Sequence, residues 1–387
     1  MTAEYSWGEL AGALESIFPP GTEIAQGPGT ARDSYVIFSG RGWARWIVPA
    51  HPGPGLGPLR AWQPMPWKKR TAWPWILRGL RLGLGRLAPW PPTITVSVPP
   101  RSDWSYLGWP YPEEPSATVL KGVPGKRQKA IVFLGMPSER TPRLVAKVPL
   151  GSAAKAYISA DADAIEYLES HGLLQGRVPH ITYRDETTGV ASQTYLAGRP
   201  SGAGLTGAHI GLLSELTRVS GSVRLTPIID ALSSRLGDPE ARQVSGTHVE
   251  ALFDRLHALP PVPRVVSHGD MSPLNLLSGP DATLRTLDWE CSRIDGYPLF
   301  DLVVFLLSVA ERSPQPDISR WYTFLRLALT TPEARTHLAS LDLPAKTLDG
   351  LATLAFIEYW TARGAATDVV EAVSQQQTNG VHLIEAL

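Results

Sequence analysis

Apolar and polar positions follow one period in the first half of the chain and another in the second. Short runs rich in β-branched and aromatic residues come first: Ser34-Tyr35-Val36-Ile37-Phe38, Arg45-Trp46-Ile47-Val48-Pro49 and Thr93-Ile94-Thr95-Val96-Ser97-Val98. Three more follow at hairpin distance, Ser116 to Leu120, Ala130 to Leu134 and Arg143 to Val148. Such runs predict strands, because branched side chains pack well on a pleated, half-buried surface. Apart from a short helix expected at Trp7 to Ile17, helical spacing begins at Ala160 and runs to Gly172, a C-terminal stop. Ile210 to Val219 and Val249 to Leu259 repeat apolar residues at i, i+3 and i+4, and the second ends at Pro260-Pro261. Two short apolar runs, Val265-Val266 and Thr283 to Leu287, then interrupt the helices as strands. A buried-looking helix through Ala310 and three or four more between Ile318 and Leu387 complete the chain. The pattern predicts an α+β protein, a small antiparallel sheet followed by a larger, mainly helical part.

Length and composition narrow the function classes. A chain of 387 residues can hold two or three domains with a sizeable core. Lys plus Arg equals Asp plus Glu at 36 each, so no global field favours nucleic acid. The single Cys291 excludes an intramolecular disulfide and a Cys-based zinc site, which suits a reducing cytosol. Met1 to Leu14 contains two Glu and no Lys or Arg, unlike a secretory signal, and the apolar run Leu302 to Ala310 is too short to span a bilayer. A cytoplasmic protein without a transmembrane segment is expected. No H-E-x-x-H or G-x-S-x-G occurs. Ser267 precedes His268, but neighbours on a strand face opposite sides, so a hydrolase is disfavoured.

Residues 1–115 read as an N-terminal appendage with short strands. Nine of the thirteen Trp lie between Trp43 and Trp109 amid dense Pro and Gly, a composition that suits neither one long helix nor a central strand. Within it, Lys68-Lys69-Arg70 leads into a stretch where Arg78, Arg81 and Arg86 alternate with Leu at roughly helical spacing. Residues 68–88 therefore suit a membrane-surface or partner-docking helix. The plainer reading is a helix packed on the body with its Arg residues solvated. Gly79, Gly83 and Gly85 each weaken an autonomous helix by about 1 kcal/mol relative to Ala.

The chemistry concentrates in Val265-Val266-Ser267-His268-Gly269-Asp270-Met271-Ser272-Pro273-Leu274-Asn275, followed by Leu287-Asp288-Trp289-Glu290. Two short strands around a tight loop bring Asp270, Asn275 and Asp288 to one point. A kinase needs this trio: a carboxylate that orients the attacking hydroxyl and takes its proton, and two oxygen ligands for magnesium. Magnesium prefers hard oxygens and keeps several waters, so Asn plus Asp suffices where phosphates supply the rest.

These two brackets, H-G-D-x-x-x-x-N and D-W-E, resemble those of the aminoglycoside phosphotransferase and choline kinase-like family. The resemblance implies a bilobal protein kinase-like fold, with a small antiparallel-sheet nucleotide lobe at 116–197 and a larger, mainly helical catalytic and substrate lobe at 198–387. It also implies ATP as donor, Mg2+, and a small-molecule hydroxyl as acceptor; of residues 1–115 it says nothing. Asp270 would be the hydroxyl-orienting carboxylate, Asn275 and Asp288 the magnesium ligands, and Asp301 a brace for the loop. Gly122-Val123-Pro124-Gly125-Lys126-Arg127-Gln128 stands where the family covers the phosphates, yet it is neither a G-x-G-x-x-G nor a Walker pattern, and an ordinary hairpin turn fits Gly122 and Gly125 as well. Lys147, inside an apolar strand, stands at the phosphate-pairing position. On the following helix the family carries a Glu that pairs this Lys; here the aligned position is Asp161, one methylene shorter, with Asp163 and Glu166 as alternatives. Ser192 to Pro200, including Gln193 and Tyr195, reads as the connector that meets the adenine edge.

The leading expectation is a phosphotransferase acting on a sugar, amino-sugar or related metabolite. One fold hosts many acceptors, so the resemblance does not specify which. Two alternatives stand beside it: a Ser/Thr kinase of a biosynthetic precursor peptide, with a protein or peptide partner recruited by the appendage, and a pseudokinase that binds nucleotide without transfer.

Overall fold

The computed structural model describes residues 7–30, 33–40, 43–51, 53–54, 56–61, 73–82, 93–235, 246–279, 281–311 and 317–384. The chain divides into two compact units, one within 1–167 and 178–200, the other within 168–177 and 201–387.

The first unit runs α1 (Trp7–Glu15), β1 (Glu23–Gln26), β2 (Ser34–Gly40), β3 (Trp43–Pro49), α2 (Leu56–Ala61), α3 (Trp73–Arg81), β4 (Thr93–Ser97), β5 (Ser116–Lys121), β6 (Lys129–Gly135), β7 (Leu144–Pro149), α4 (Ala154–Ser170), β8 (Ile181–Asp185) and β9 (Val190–Thr194). All nine strands join one antiparallel sheet in the order β1-β4-β2-β3-β5-β6-β7-β9-β8. Residues on both sides of the expected 115/116 boundary thus share a sheet, since β3 pairs β5 at Trp46↔Leu120 and Ile47↔Val119.

The period-two alternation sorts the sheet into two buried faces. Ile37, Ile47, Val119, Val132 and Ala146 point to a core that includes Leu10 and Leu14 of α1. Their neighbours Phe38, Trp46, Phe133 and Val145 point the other way, against Trp73, Leu77 and Leu80 of α3 and Leu59 of α2. Strands buried on both sides explain why these runs are so continuously apolar.

Helix α4 begins six residues before the expected Ala160. Its inner positions there are Ala154 and Ile158, fully buried four residues apart beside Ala162, and an Ala-rich face carries little hydrophobic signal. Of the helix expected within 68–88, α3 accounts for Trp73 to Arg81; 68–72 and 83–88 lie outside the described residues.

The second unit contains α5 (Gly207–Leu216), α6 (Thr226–Arg235), α7 (Gly246–His257), α8 (Phe300–Ala310), α9 (Ile318–Ala328), α10 (Pro332–Ser340), α11 (Ala345–Thr361) and α12 (Ala366–Thr378). α8 and α11 are buried along most of their length and form its centre. Three short strand pairs interrupt the helices: Ser222–Val223 with Val262–Pro263, Val265–Ser267 with Arg293–Gly296, and Leu276–Ser278 with Leu284–Thr286. No helix among the described residues is long and apolar enough to cross a membrane.

Candidate active site

The strand pairs dictate the geometry of the second unit's loop. Leu276 pairs Thr286, so Asn275 and Leu287 face each other at the hairpin's open end, joined by the Leu287 N–H donating to the Asn275 carbonyl at 2.9 Å. Asp288 is the next residue, in a left-handed conformation at φ 65°. The thirteen-residue gap between Asn275 and Asp288 is therefore one short hairpin.

Asn275 holds Asp270 directly. Its Nδ2 donates to the Asp270 Oδ2 at 3.0 Å and to the Asp270 carbonyl at 2.9 Å. That orientation turns its Oδ1, the atom a hard cation would take, away from the Asp270 contact. His268 sits fully buried above the hairpin: Nε2–H donates to the Leu287 carbonyl at 2.9 Å, and Nδ1 accepts from the Asp270 N–H at 3.3 Å. The Trp289 ring lies 4.5 Å from His268 and its Nε1 donates to Thr286 Oγ1 at 3.0 Å.

Asp301, in the first turn of α8, anchors the loop from beneath. Its carboxylate accepts from the His268 N–H at 2.7 Å and the Gly269 N–H at 2.9 Å. Burial pushes the Asp301 carboxyl up, while His268, these two N–H groups and Arg293 pull it back. Gly269 has φ 82°, and a Cβ there would lie 1.9 Å from the Cys291 carbonyl oxygen, so no other residue fits without displacement. Burial likewise raises the Asp270 carboxyl above its ordinary range; Asp288 adds to the rise, and His268, the Asn275 bond and Arg363 oppose it. Two carboxylates that repel each other in a partly desolvated setting favour a cation between them. Among the described residues no group of three or more His, Cys, Asp or Glu is arranged to hold a metal, so any cation here relies on Asp288, the amide oxygen of Asn275 and ligands from outside the protein.

In the first unit, Lys147 is buried in β7 and its Nζ lies 2.7 Å from the Asp161 Oδ2 of α4. The shorter Asp reaches the Lys without a bridge. Asp163 and Glu166, the alternatives, instead face Arg184, at 2.5 and 3.6 Å. Lys147 shares its strand face with Val145.

The other nucleotide-side candidates are more engaged than the sequence suggests. The Gly122 N–H donates to the Lys129 carbonyl at 2.8 Å, and Gln128 Nε2 donates to the Gly122 carbonyl at 3.0 Å, so Gly122 is spent on closing the β5–β6 hairpin. Gly125 lies at its tip with φ 146°. The hairpin is in turn stitched to the residues before α4, with Gly151 N–H donating to the Gln128 carbonyl and Ala153 N–H to the Lys126 carbonyl, both at 2.8 Å. Gln193 lies inside β9, paired with Val145 and Ile181. The Tyr195 N–H donates to the Arg143 carbonyl at 3.1 Å, so that amide serves the sheet rather than an adenine edge.

Sequence reasoning missed a polar group under the loop. Arg293, the register partner of Ser267, forms an ion pair with the buried Glu358 of α11, and the Tyr297 hydroxyl donates to the same carboxylate at 3.0 Å. It also missed Arg363, whose charge acts on Asp270 and which stacks 3.5 Å over Tyr359 while donating to Glu311 at 2.8 Å. Apart from the Arg363–Tyr359 contact, four residues apart, these partners are separated by 52 to 93 residues, and no local pattern marks them.

Comparison with known proteins places this architecture. A family model described as the phosphotransferase enzyme family, APH, matches residues 121–335, more than half of the chain. No curated protein matches. Among solved structures, the choline kinase LicA from Streptococcus pneumoniae aligns over 66% of this chain and 94% of its own, at 18% identity and a TM-score of 0.40. The apo form of a thermostable mutant of the aminoglycoside phosphotransferase APH(4)-Ia aligns over 68% of this chain and 95% of its own, at 12% identity and a TM-score of 0.42. Likenesses of that degree say nothing about substrate. With more than half of the chain inside the matched region, the chain belongs to the phosphotransferase enzyme family and is a kinase-type phosphotransferase acting on hydroxyl groups.

Proposed function

We propose that the chain transfers the γ-phosphate of ATP, with magnesium, to a hydroxyl of a small molecule such as a sugar, amino-sugar or related metabolite. The observation that carries this reading is Asp270, clamped by Asn275 at 3.0 Å and facing Asp288 on a loop pinned by Asp301. Asp270 orients the acceptor hydroxyl and takes its proton. Phosphoryl transfer has a loose transition state, so the proton moves late and positioning matters more than basicity. The hydrogen bonds that fix the loop supply that positioning. Asn275 and Asp288 would hold the magnesium ion, which neutralises charge on the nucleotide phosphates. Lys147, held by Asp161, is the cation of the first unit assigned to phosphate oxygens.

The test is a mass-spectrometric screen for phosphate added to a panel of hydroxyl compounds in the presence of ATP and magnesium, run alongside Asp270→Ala. The reading expects a phosphorylated product from the wild type and none from the variant. Absence of any product and of magnesium-dependent ATP turnover in the wild type, or equal turnover by Asp270→Ala, refutes it.

A further inference from the structure

The basic, Trp-rich stretch singled out in the sequence has one face the fold consumes and one it does not. Trp73, Leu77 and Leu80 of α3 are buried on the sheet. The opposite side presents Trp75 and Arg78, continued by Leu82, while the exposed Arg81, four residues after the buried Leu77, stands at its flank. Trp75 is 68% exposed, the highest value among the exposed large hydrophobics of the described residues, and Leu82 is 66% exposed, level with Val123. They are seven residues apart, about two helical turns, and Arg78 lies between them on the same side. The Leu82 N–H donates to the Arg78 carbonyl at 3.1 Å, so the helical turn continues through it.

The surrounding sequence is electrostatically one-sided. Between Asp33 and Asp103 there is no Asp or Glu, while ten Lys and Arg occur there. The chain as a whole balances at 36 of each sign, so this surplus is confined to the segment that carries α3. A convex helix face with an indole and a Leu flanking guanidinium groups matches a surface that is negative outside and apolar beneath. Trp favours the membrane–water interface, and Arg gains from acidic headgroups.

We propose that the outward face of α3 is a docking surface for an anionic lipid bilayer, with Trp75 and Leu82 entering the interface and Arg78 and Arg81 meeting lipid phosphates. It differs from a free amphipathic helix, whose apolar stripe would itself enter the lipid, because here that stripe is committed to the sheet. Single-stranded nucleic acid is the weaker match, because it is held by several aromatics along a groove, and among the described residues Trp75 is the one exposed indole. The inference is independent of the acceptor and of the phosphotransfer mechanism.

Full-length protein is sedimented with vesicles of phosphatidylglycerol and phosphatidylcholine in equal parts, and with vesicles of phosphatidylcholine alone. Retention is expected on the mixed vesicles at low salt, falling as salt rises, and not on phosphatidylcholine. Arg78→Gln with Arg81→Gln weakens partitioning by about thirty-fold, the effect of roughly two surface cations. Trp75→Ser with Leu82→Ser also releases the protein, and both double variants keep the wild-type unfolding temperature because neither touches the core. No retention of the wild type, equal retention on phosphatidylcholine alone, or unchanged binding by both variants overturns the proposal. So does binding to an oligonucleotide or an acidic peptide under conditions where the mixed vesicles retain nothing.

Discussion

Gly269→Ala tests how tightly the loop that carries Asp270 is held. The added Cβ would stand 1.9 Å from the Cys291 carbonyl oxygen and 2.6 Å from its carbon. Ordinary contact begins near 3.4 Å, so one backbone segment must move by roughly 1.5 Å. The Gly269 segment is not free to do so: the Gly269 and His268 N–H groups are bonded to Asp301 at 2.9 and 2.7 Å, and His268 is tied to Leu287. Each bond to a charged group contributes about 1.5–3 kcal/mol, and forcing a side chain into the left-handed region costs about 1–2 kcal/mol more. Losing one of the two bonds together with the backbone strain gives a destabilisation of about 3–4 kcal/mol. A displacement of about 1 Å at Asp270 lowers turnover by roughly a hundred-fold. Urea unfolding and steady-state phosphotransfer measure the two effects separately. Gly125→Ala is the control, because φ is 146° there but nothing lies within 4 Å of a built Cβ. The reasoning fails if Gly269→Ala unfolds at the same urea concentration as Gly125→Ala and turns over within a few-fold of the wild type.

Asp270→Ala should abolish transfer while leaving nucleotide affinity nearly unchanged, whereas Asp288→Ala should lose the magnesium dependence of nucleotide binding; equal loss of binding in both contradicts the division of labour. Lys147→Met removes the cation 2.7 Å from a buried carboxylate and should destabilise by about 3–5 kcal/mol in thermal or urea unfolding, with Lys147→Met/Asp161→Leu recovering much of that loss but no activity. Burial lowers both His209 and His337 from the ordinary 6.5 to about 4. The unfolded chain therefore takes up protons first on acidification: stability is complete above pH 6.5 and falls towards pH 4, by up to roughly 3 kcal/mol per His, and His337→Leu should flatten that slope in pH-dependent urea unfolding.

Much of the geometry of the second unit's candidate site could be read in advance because its spacing is local. Asn275 and Asp288 meet through a hairpin only three pairs long, whose apolar strands and connecting turn are visible in the sequence. Lys147 was legible for a similar reason: a single cation inside Leu144-Val145-Ala146-Lys147-Val148 stands out against strand periodicity. The Arg293–Glu358–Tyr297 group was not, because Glu358 looks like any polar position on α11 until the fold places it beneath the loop. The partnership of β3 with β5 was equally hidden. Alternation tells which side of a strand is buried but not which strand lies beside it, and the paired residues of these two are 72 and 74 positions apart.

That hidden pairing changes how the N-terminal segment has to be understood. β5 has β3 on one side and β6 on the other, so residues 34–49 turn what would be an edge strand into an internal one. The packing follows the hydrogen bonds: Trp46 stacks on Phe133 at 5.8 Å, and Phe133 is the register partner of Val145, which shares its strand face with Lys147. Removing residues 1–115 would open the β5 edge and uncover Phe133 and Val145 together, bringing aggregation or a lowered unfolding temperature along with any loss of function. A deletion therefore cannot separate what the segment binds from what it holds up. Substitutions confined to the outward face of α3 can, because Trp75, Arg78, Arg81 and Leu82 are exposed while the residues that hold the sheet point the other way. If such surface variants destabilised the protein as much as loss of Trp46 or Trp73 does, the two faces would not be separable, and the segment would be structural throughout.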